Sequence, residues 1–568
     1  MRDLVHAFFE QFFADDASAS EAQRRQTIFY TGAFLAAPGV FLMLELFPEF
    51  QSALIRERLG RGPVGYVDDL RAWIGFLFTT YSMAAAGLVT VLAWDSLTFG
   101  RRDAMVLGPL PLRQRTILAA KLGALGALLL AGALPITTVN AAMFAMETAG
   151  AAGIVGFVQY FIAIFLATFG AAFLGFALVV CARATVSLAG GSYFAARCGP
   201  PLQFLCVVCL LSLVIFCPFV LRVPFLSAGF TNAMPPAWFV GVFEQLRGSP
   251  RAFDPAFPFL MLARRAAAWT SMAAGAAVAF SVVEFRRQMR FSLAPPASPG
   301  ILGSASIGRW LARLIAGGNQ AAAATADFVL LTLARHRARM APIAIHAALA
   351  ATIVIAGLSN DTRTLGALFR PRTALLWMPL VVGFWMTIGL RRSFLASSEP
   401  GGEWTFRVNG TASDVWPAVR AAMIGFLVPR TLALTATLIP LIGWRLTAWH
   451  AVVVGVLMVL LAELAALGID HVPFTRRAAP APAAAARWTL CIAGMFAFAY
   501  VPARLVLLFG PSAPCVVLVA VAGATSVGLE LFGRRRSARR SEPQPVDQDT
   551  EEVGDSGLAV LGLTAASR

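Results

Sequence analysis

Apolar stretches of about twenty residues recur along this chain from beginning to end, and no other sequence feature constrains the fold as much. Each stretch can cross a hydrocarbon core of roughly 30 Å as an α-helix. A helix satisfies its own backbone hydrogen bonds, which lipid cannot do. Only 13% of the residues are charged, whereas soluble domains carry about a quarter. The sequence therefore predicts an all-α, polytopic integral membrane protein.

The hydropathy pattern predicts about twelve transmembrane helices in two six-helix halves. A long polar loop follows the second span of each half, so the two halves repeat one architecture, as is common in transporters. The predicted spans cover residues 27–48, 72–94, 117–146, 152–180, 201–221, 267–285, 341–359, 373–390, 427–445, 447–469, 487–509 and 513–531.

Four regions follow from these spans. Residues 1–285 form the first transmembrane half, and residues 341–531 form the second. Between them, residues 286–340 are predicted to be a basic cytoplasmic linker with an interfacial helix, because arginines alternate with apolar residues there. The polar tail, residues 532–568, has the composition of a disordered segment.

The formal charge of +16 comes almost wholly from arginine, since Lys121 is the only lysine. The arginines concentrate in the loops after the even-numbered spans and in the tail, which places those loops and both termini in the cytoplasm. A nucleic-acid binder would gather its basic residues on one solvated domain, so we exclude that class. The opposite loops also contain arginines, namely Arg56, Arg58, Arg61, Arg247, Arg251, Arg363 and Arg370.

Motifs for catalysis are absent from the sequence. A phosphate-binding loop needs a Gly-Lys pair, but Lys121 stands between Ala120 and Leu122. The five histidines form no pattern typical of a metal site. The chain is therefore predicted to be no enzyme, to hydrolyse no nucleotide, and to hold no metal or other cofactor.

Glu463 is the best candidate for a functional charge inside the membrane. An ionisable group at mid-helix costs on the order of 2.5 to 3.5 kcal/mol, so its presence there needs a reason. It could carry ions, or it could neutralise a polar group of a neighbouring helix. An ion-coupled carrier would be expected to show more such groups.

The loop after the second span, WDSLTFGRRDAMVLGPLPLRQRTILAAK at 94–121, alternates apolar and charged residues. Such a segment lies at the membrane interface, where it either presents charge to a soluble partner or anchors the next helix. The pattern alone does not separate these two roles.

At this loop the sequence resembles the permeases, or transmembrane subunits, of bacterial type 2 ATP-binding-cassette exporters, in their large form with two fused six-helix halves. The similarity extends through both halves. Four stretches carry it: RRDAMVLGPLPLRQRTILAAK at 101–121, PPAWFVGVFEQLRG at 235–248, GLRRSFLASSEPGGEWTFRV at 389–408 and ELAALGIDHVPFT at 463–475.

The resemblance implies a bacterial cytoplasmic (inner) membrane protein whose coupling loops dock a separate ATPase subunit. That partner would bind the ATP, and this chain would form the path of a substrate that the sequence does not identify. The resemblance places the first docking site at Arg101, Arg102, Asp103, Leu107, Pro109, Leu110, Pro111 and Arg113, and the second at Arg391, Arg392, Glu399, Trp404 and Arg407.

Two other functions remain open from the residues. An ion-coupled secondary transporter would require Glu463 for activity and would follow an ion gradient. A membrane-embedded transferase acting on a lipid-linked substrate would need carboxylates or histidines that converge at one membrane face. The sequence alone does not assemble such a set.

Overall fold

A computed structural model of the chain describes residues 2–12, 21–61, 65–94, 110–148, 153–220, 233–291, 305–335, 337–360, 373–395, 415–467 and 485–540, together with 96, 97, 103, 107, 469 and 471–474. Throughout these residues the regular elements are helices, which confirms the all-α prediction. One short 3₁₀ helix spans Pro250–Ala252. The α-helices are α1 Arg2–Gln11, α2 Glu21–Arg58, α3 Tyr66–Leu92, α4 Gln114–Thr148, α5 Gly153–Val220, α6 Pro235–Leu246, α7 Phe259–Phe291, α8 Ala305–Ala316, α9 Gln320–Arg335, α10 Arg337–Asn360, α11 Thr373–Leu395, α12 Val415–Ala436, α13 Ile439–Ile442, α14 Trp444–Ala466, α15 Ala485–Phe509 and α16 Ala513–Arg540.

Within the described residues, nine helical segments are long and apolar enough to cross a membrane, so the chain is a multi-pass membrane protein. The predicted spans at 27–48, 373–390 and 487–509 lie within α2, α11 and α15, which are not among these nine segments. The nine segments are Tyr66–Leu92, Gln114–Thr148, Gly153–Ala189, Cys198–Ile215, Phe259–Arg287, Arg339–Leu358, Val415–Ala436, Trp444–Ala466 and Ala513–Arg535.

The structure differs from the predicted helices in several places. Helix α12 begins at Val415 rather than near residue 427. Arg420 made this stretch read as polar, but acidic side chains of other helices neutralise its charge. The single interfacial helix of the linker is two helices, α8 and α9, since Gly317 and Gly318 adopt positive φ angles of 58° and 85°. Helix α16 continues to Arg540, beyond the predicted end at 531.

The chain divides into two compact units, Met1–Pro299 with Ala351–Ala356, and Gly300–Ala350 with Gly357–Arg568. In the first unit, α3 is central and packs against α2, α4, α5 and α6. Most of its side chains are buried, and they join one apolar cluster with α5, α6 and α7. Helix α3 is therefore held within a packed core.

Helix α5 is continuous over 68 residues, but it turns back on itself. Its first part runs in the same direction as α3, and its last part runs in the opposite direction. The predicted spans at 152–180 and 201–221 are thus two separate passes of α5. The contacts that show this pair Ile164 with Gly75, Gly175 with Met83, Gln203 with Val91, and Leu210 with Gly87.

Helix α12 is the centre of the second unit, where it packs against α8, α9, α11 and α14. The contact between α8 and α12 depends on two glycines. A Cβ atom at Gly308 would lie 2.6 Å from the carbonyl oxygen of Gly425, and one at Gly425 would lie 2.5 Å from that of Gly308. The two backbones therefore approach closely enough to exclude any side chain between them.

The two units share a packing arrangement. In the first unit α3 packs on α5, α5 packs on α7, and the amphipathic helix α1 packs on α4. In the second unit α11 packs on α14, α14 packs on α16, and the amphipathic helix α8 packs on α12. In both units, then, an amphipathic helix lies against the helix that follows a predicted coupling loop.

Candidate functional site

The base of the first predicted coupling loop is fixed to the membrane helices. Just after α3, Trp94 and Leu97 are buried. The ammonium of Lys121 on α4 donates a hydrogen bond of 2.7 Å to the carbonyl oxygen of Ser96. The only lysine of the chain is thus 5% exposed and ties the start of the loop to the helix that follows it.

Helix α1 covers this base. The Lys121 ammonium lies 4.9 Å from the ring centroid of Phe8 and 5.3 Å from that of Phe12, within the range of cation–π attraction. Phe8 also belongs to an apolar cluster with residues of α4 and α7, and Leu107 of the loop packs against that cluster. The amphipathic N-terminal helix therefore braces the loop from one side.

The tip of the same loop is exposed. Leu110 and Leu112 have 46% and 36% of their surface accessible, and Pro111, Arg113 and Arg115 are exposed beside them. Two exposed leucines beside two exposed arginines form a small amphipathic surface. Of the other predicted docking residues, Asp103 and Leu107 are half-buried, and Arg101, Arg102 and Pro109 lie outside the described residues.

The second predicted docking site is described only in part. The Arg391 guanidinium donates hydrogen bonds of 2.7 Å and 3.0 Å to the carbonyl oxygens of Ala465 and Leu467. It thereby satisfies carbonyl groups at the C-terminal end of α14, where a cation is favourable. Arg392 is exposed. Glu399, Trp404 and Arg407 lie outside the described residues.

Glu463 lies in a cluster of four charged side chains from α12, α14 and α16. Its side chain is fully buried, and its Oε1 atom accepts a hydrogen bond of 3.0 Å from Nε of Arg420, whose Nη2 atom lies 2.9 Å from the same oxygen. The same Nη2 lies 3.1 Å from Glu530, which in turn pairs with Arg534 at 2.6 Å. The two positive and two negative charges of the cluster therefore cancel.

Sequence reasoning missed Arg420, because the predicted ninth span began after it. One signal could have found it. Arg420 stands within VWPAVRAAMIGFLV, an otherwise apolar run at 415–428. An isolated arginine in such a run indicates a helix that pairs its charge with an acidic group of another helix.

A second ion-pair network lies on the predicted non-cytoplasmic side and includes two of the arginines found there, Arg247 and Arg251. The Arg247 side chain is 5% exposed and pairs with Glu244 at 2.7 Å and with Asp68 at 3.2 Å. Arg251 pairs with Asp69 at 2.6 Å. Burial raises the pKa of the Glu244 carboxyl, and the adjacent guanidinium of Arg247 opposes that rise. Paired in this way, these arginines add little net positive charge to this side.

Comparison of the chain with models of protein families, with curated proteins and with solved structures finds no match. Among the described residues, no three His, Cys, Asp or Glu side chains come together in a way that could hold a metal ion. In the part of the chain that the structure describes, the arrangement is therefore a set of braced helix ends, an exposed loop tip and two ion-pair networks.

Proposed function

We propose that this chain is the transmembrane permease subunit of an ATP-driven exporter of the ATP-binding-cassette type. It forms the path of a substrate that is still to be identified, and it docks a separate ATPase subunit in a bacterial inner membrane. Both termini lie in the cytoplasm. The observation that carries the proposal is an exposed loop tip, Leu110 to Arg113, on a base that is fixed to the membrane helices.

The fixed base gives the loop a mechanical role. The Lys121 hydrogen bond to Ser96 and the packing of α1 join the loop to α4, so displacement of the loop moves the helix with it. A partner that binds one loop position more tightly than another shifts the conformation of the permease. ATP binding and hydrolysis by the partner would supply that difference in affinity.

The second loop is attached in a comparable way. Arg391 ties the end of α11 to the end of α14, and the exposed Arg392 stands next to it. In the proposal Arg391 transmits force between these helices, and Arg392 contacts the ATPase. An anionic surface on the partner would complement the arginines of both loops.

Charge reversal at the exposed loop tip tests this function. The tagged R113E/R115E variant is purified in mild detergent from its native host, and mass spectrometry measures how much P-loop ATPase accompanies it. We expect a loss of tenfold or more, on the order of 1.4 kcal/mol or above. The matched control is R445E, an exposed arginine on the predicted opposite side. Equal ATPase recovery from both variants would count against docking at this loop.

An ion-coupled secondary transporter is the second candidate, and the burial of Glu463 within a membrane-crossing helix favours it. Its ion pair with Arg420 favours a structural role instead, because a paired carboxylate gives up its charge less readily. A transferase for a lipid-linked substrate has less support, since the described acidic side chains around Glu463 are engaged with arginines.

A further inference from the structure

An open groove lies at the N-terminal end of α7, on the predicted non-cytoplasmic side of the first unit. Its volume is about 900 Å³, and its walls come from residues 253–269. Phe253, Met261 and Trp269 provide apolar walls, and Arg264 and Arg265 provide two cationic groups. Neither the predicted coupling loops nor the ion-pair networks involve these residues.

The apolar walls of the groove are exposed. The accessible fractions are 69% for Phe253, 41% for Met261 and 46% for Trp269. Trp269 stacks on Trp238 of α6, with 5.9 Å between ring centroids and 24° between ring planes, so its orientation is fixed. Met261 and Trp269 belong to a segment that is long and apolar enough to cross a membrane, so their exposed surfaces are accessible to lipid. Aromatic rings are typical of the interface between lipid and water.

The charge of the groove is positive. Asp254 is the acidic residue among the described lining residues, and its Oδ1 atom accepts a hydrogen bond of 2.9 Å from the backbone N–H of Ala256. Arg264 is exposed at the groove wall. Arginines on this side of the membrane run against the usual charge bias. The Arg247 guanidinium donates hydrogen bonds to Asp68, Glu244 and Ser249. Arg264, in contrast, is exposed where an external anion can reach it.

We propose that the groove binds an anionic phospholipid from the non-cytoplasmic leaflet. The phosphate group lies at the exposed Arg264, beside the half-buried Arg265, and the upper part of one acyl chain lies along Met261 and Trp269. The groove volume is within the range of roughly 300–1,000 Å³ found for small-molecule sites, enough for a headgroup and part of a chain. This inference does not depend on the proposed ATP-driven function.

Lipid binding to the purified full-length chain tests the proposal. Native mass spectrometry follows titration with phosphatidylglycerol and, separately, with phosphatidylcholine of equal chain length. We expect the wild type to prefer phosphatidylglycerol. The R264Q/R265Q variant should lose about 30-fold in affinity, since each arginine near a lipid surface contributes about 1 kcal/mol. The R264K/R265K variant, which keeps both charges, should retain most of the affinity.

Two further variants separate a lipid site from general attraction to charge. R445Q removes an exposed arginine that lies 5.6 Å from the ring of Trp444 on α14 and is not among the residues that line this groove, and its lipid affinity should equal that of the wild type. W269A should weaken long-chain phosphatidylglycerol and leave the soluble glycerophosphoglycerol headgroup unaffected. The proposal is overturned if the wild type binds both phospholipids equally, if R445Q loses as much affinity as R264Q/R265Q, or if W269A binds like the wild type.

Discussion

Replacing Arg420 by methionine should destabilise the second unit strongly. The substitution removes the cation that donates a hydrogen bond of 3.0 Å to the fully buried Glu463 carboxylate and makes a second contact of 2.9 Å with it. Breaking a buried ion pair in this way costs about 3–5 kcal/mol, because the remaining charge is left without a partner. Glu530 is 23% exposed and keeps its pairing with Arg534, so it adds little to the loss.

The converse substitution, Glu463→Gln, should cost less. Arg420 keeps Glu530 at 3.1 Å, and the glutamine amide still offers an oxygen acceptor. The loss is then about that of one weakened hydrogen bond to a charged group, roughly 1.5–3 kcal/mol. The double variant R420M/E463L should recover much of the stability lost in R420M, since an apolar pair of similar volume often replaces a buried ion pair without loss.

Equilibrium unfolding of the purified chain in mild detergent measures these differences. The control is Arg430→Met on the same helix, whose guanidinium donates a hydrogen bond of 2.7 Å to the carbonyl oxygen of Phe426 and pairs with no acidic side chain among the described residues. Its loss should be smaller than that of R420M. The reasoning is refuted if E463Q is as destabilising as R420M, or if the double variant is no more stable than R420M. A transport assay adds a separate readout, because a structural role for Glu463 predicts activity in E463Q, whereas an ion-carrying role predicts none.

Gly308→Ala tests the packing of the second unit and Arg247→Met that of the first, both by thermal unfolding. Gly308→Ala should lower the free energy of unfolding by about 1–3 kcal/mol, because its Cβ would lie 2.6 Å from the carbonyl oxygen of Gly425. The control is Gly126→Ala, where no described atom lies within 4 Å of the added Cβ, and it should be neutral or slightly stabilising. Arg247→Met should lower the unfolding free energy by about 3–5 kcal/mol by leaving the buried Glu244 without its cation. An unchanged melting temperature in G308A or R247M would contradict the corresponding contact.

The membrane architecture could be predicted because hydropathy is a local property. A stretch of about twenty apolar residues indicates a spanning helix wherever the rest of the chain lies. The prediction went wrong where a charge was neutralised from a distance. Arg420 pairs with residues 43 and 110 positions away along the chain, and no local pattern shows those partners. The start of α12 at Val415 was missed for that reason.

The candidate site was predicted less completely, for a similar reason. The amphipathic pattern of the first loop indicates a segment at the membrane interface, but it does not show which side chains are buried. Lys121 and Arg113 are both cations near this loop, yet the first is held by Ser96 and two phenylalanines whereas the second is exposed. That difference depends on α1, which is distant in sequence. The same holds for Arg391, whose carbonyl partners lie on another helix.

The most direct test of the ATP-driven function is a reconstitution of the purified chain in lipid vesicles, with and without the P-loop ATPase that accompanies it from native membranes. ATP hydrolysis by the added ATPase should rise when the wild-type chain is present, and it should stay at the basal rate with R113E/R115E. Substrate movement, once a substrate is found, should need both proteins and ATP. Movement by the chain alone, driven by an ion gradient, would contradict the proposed function.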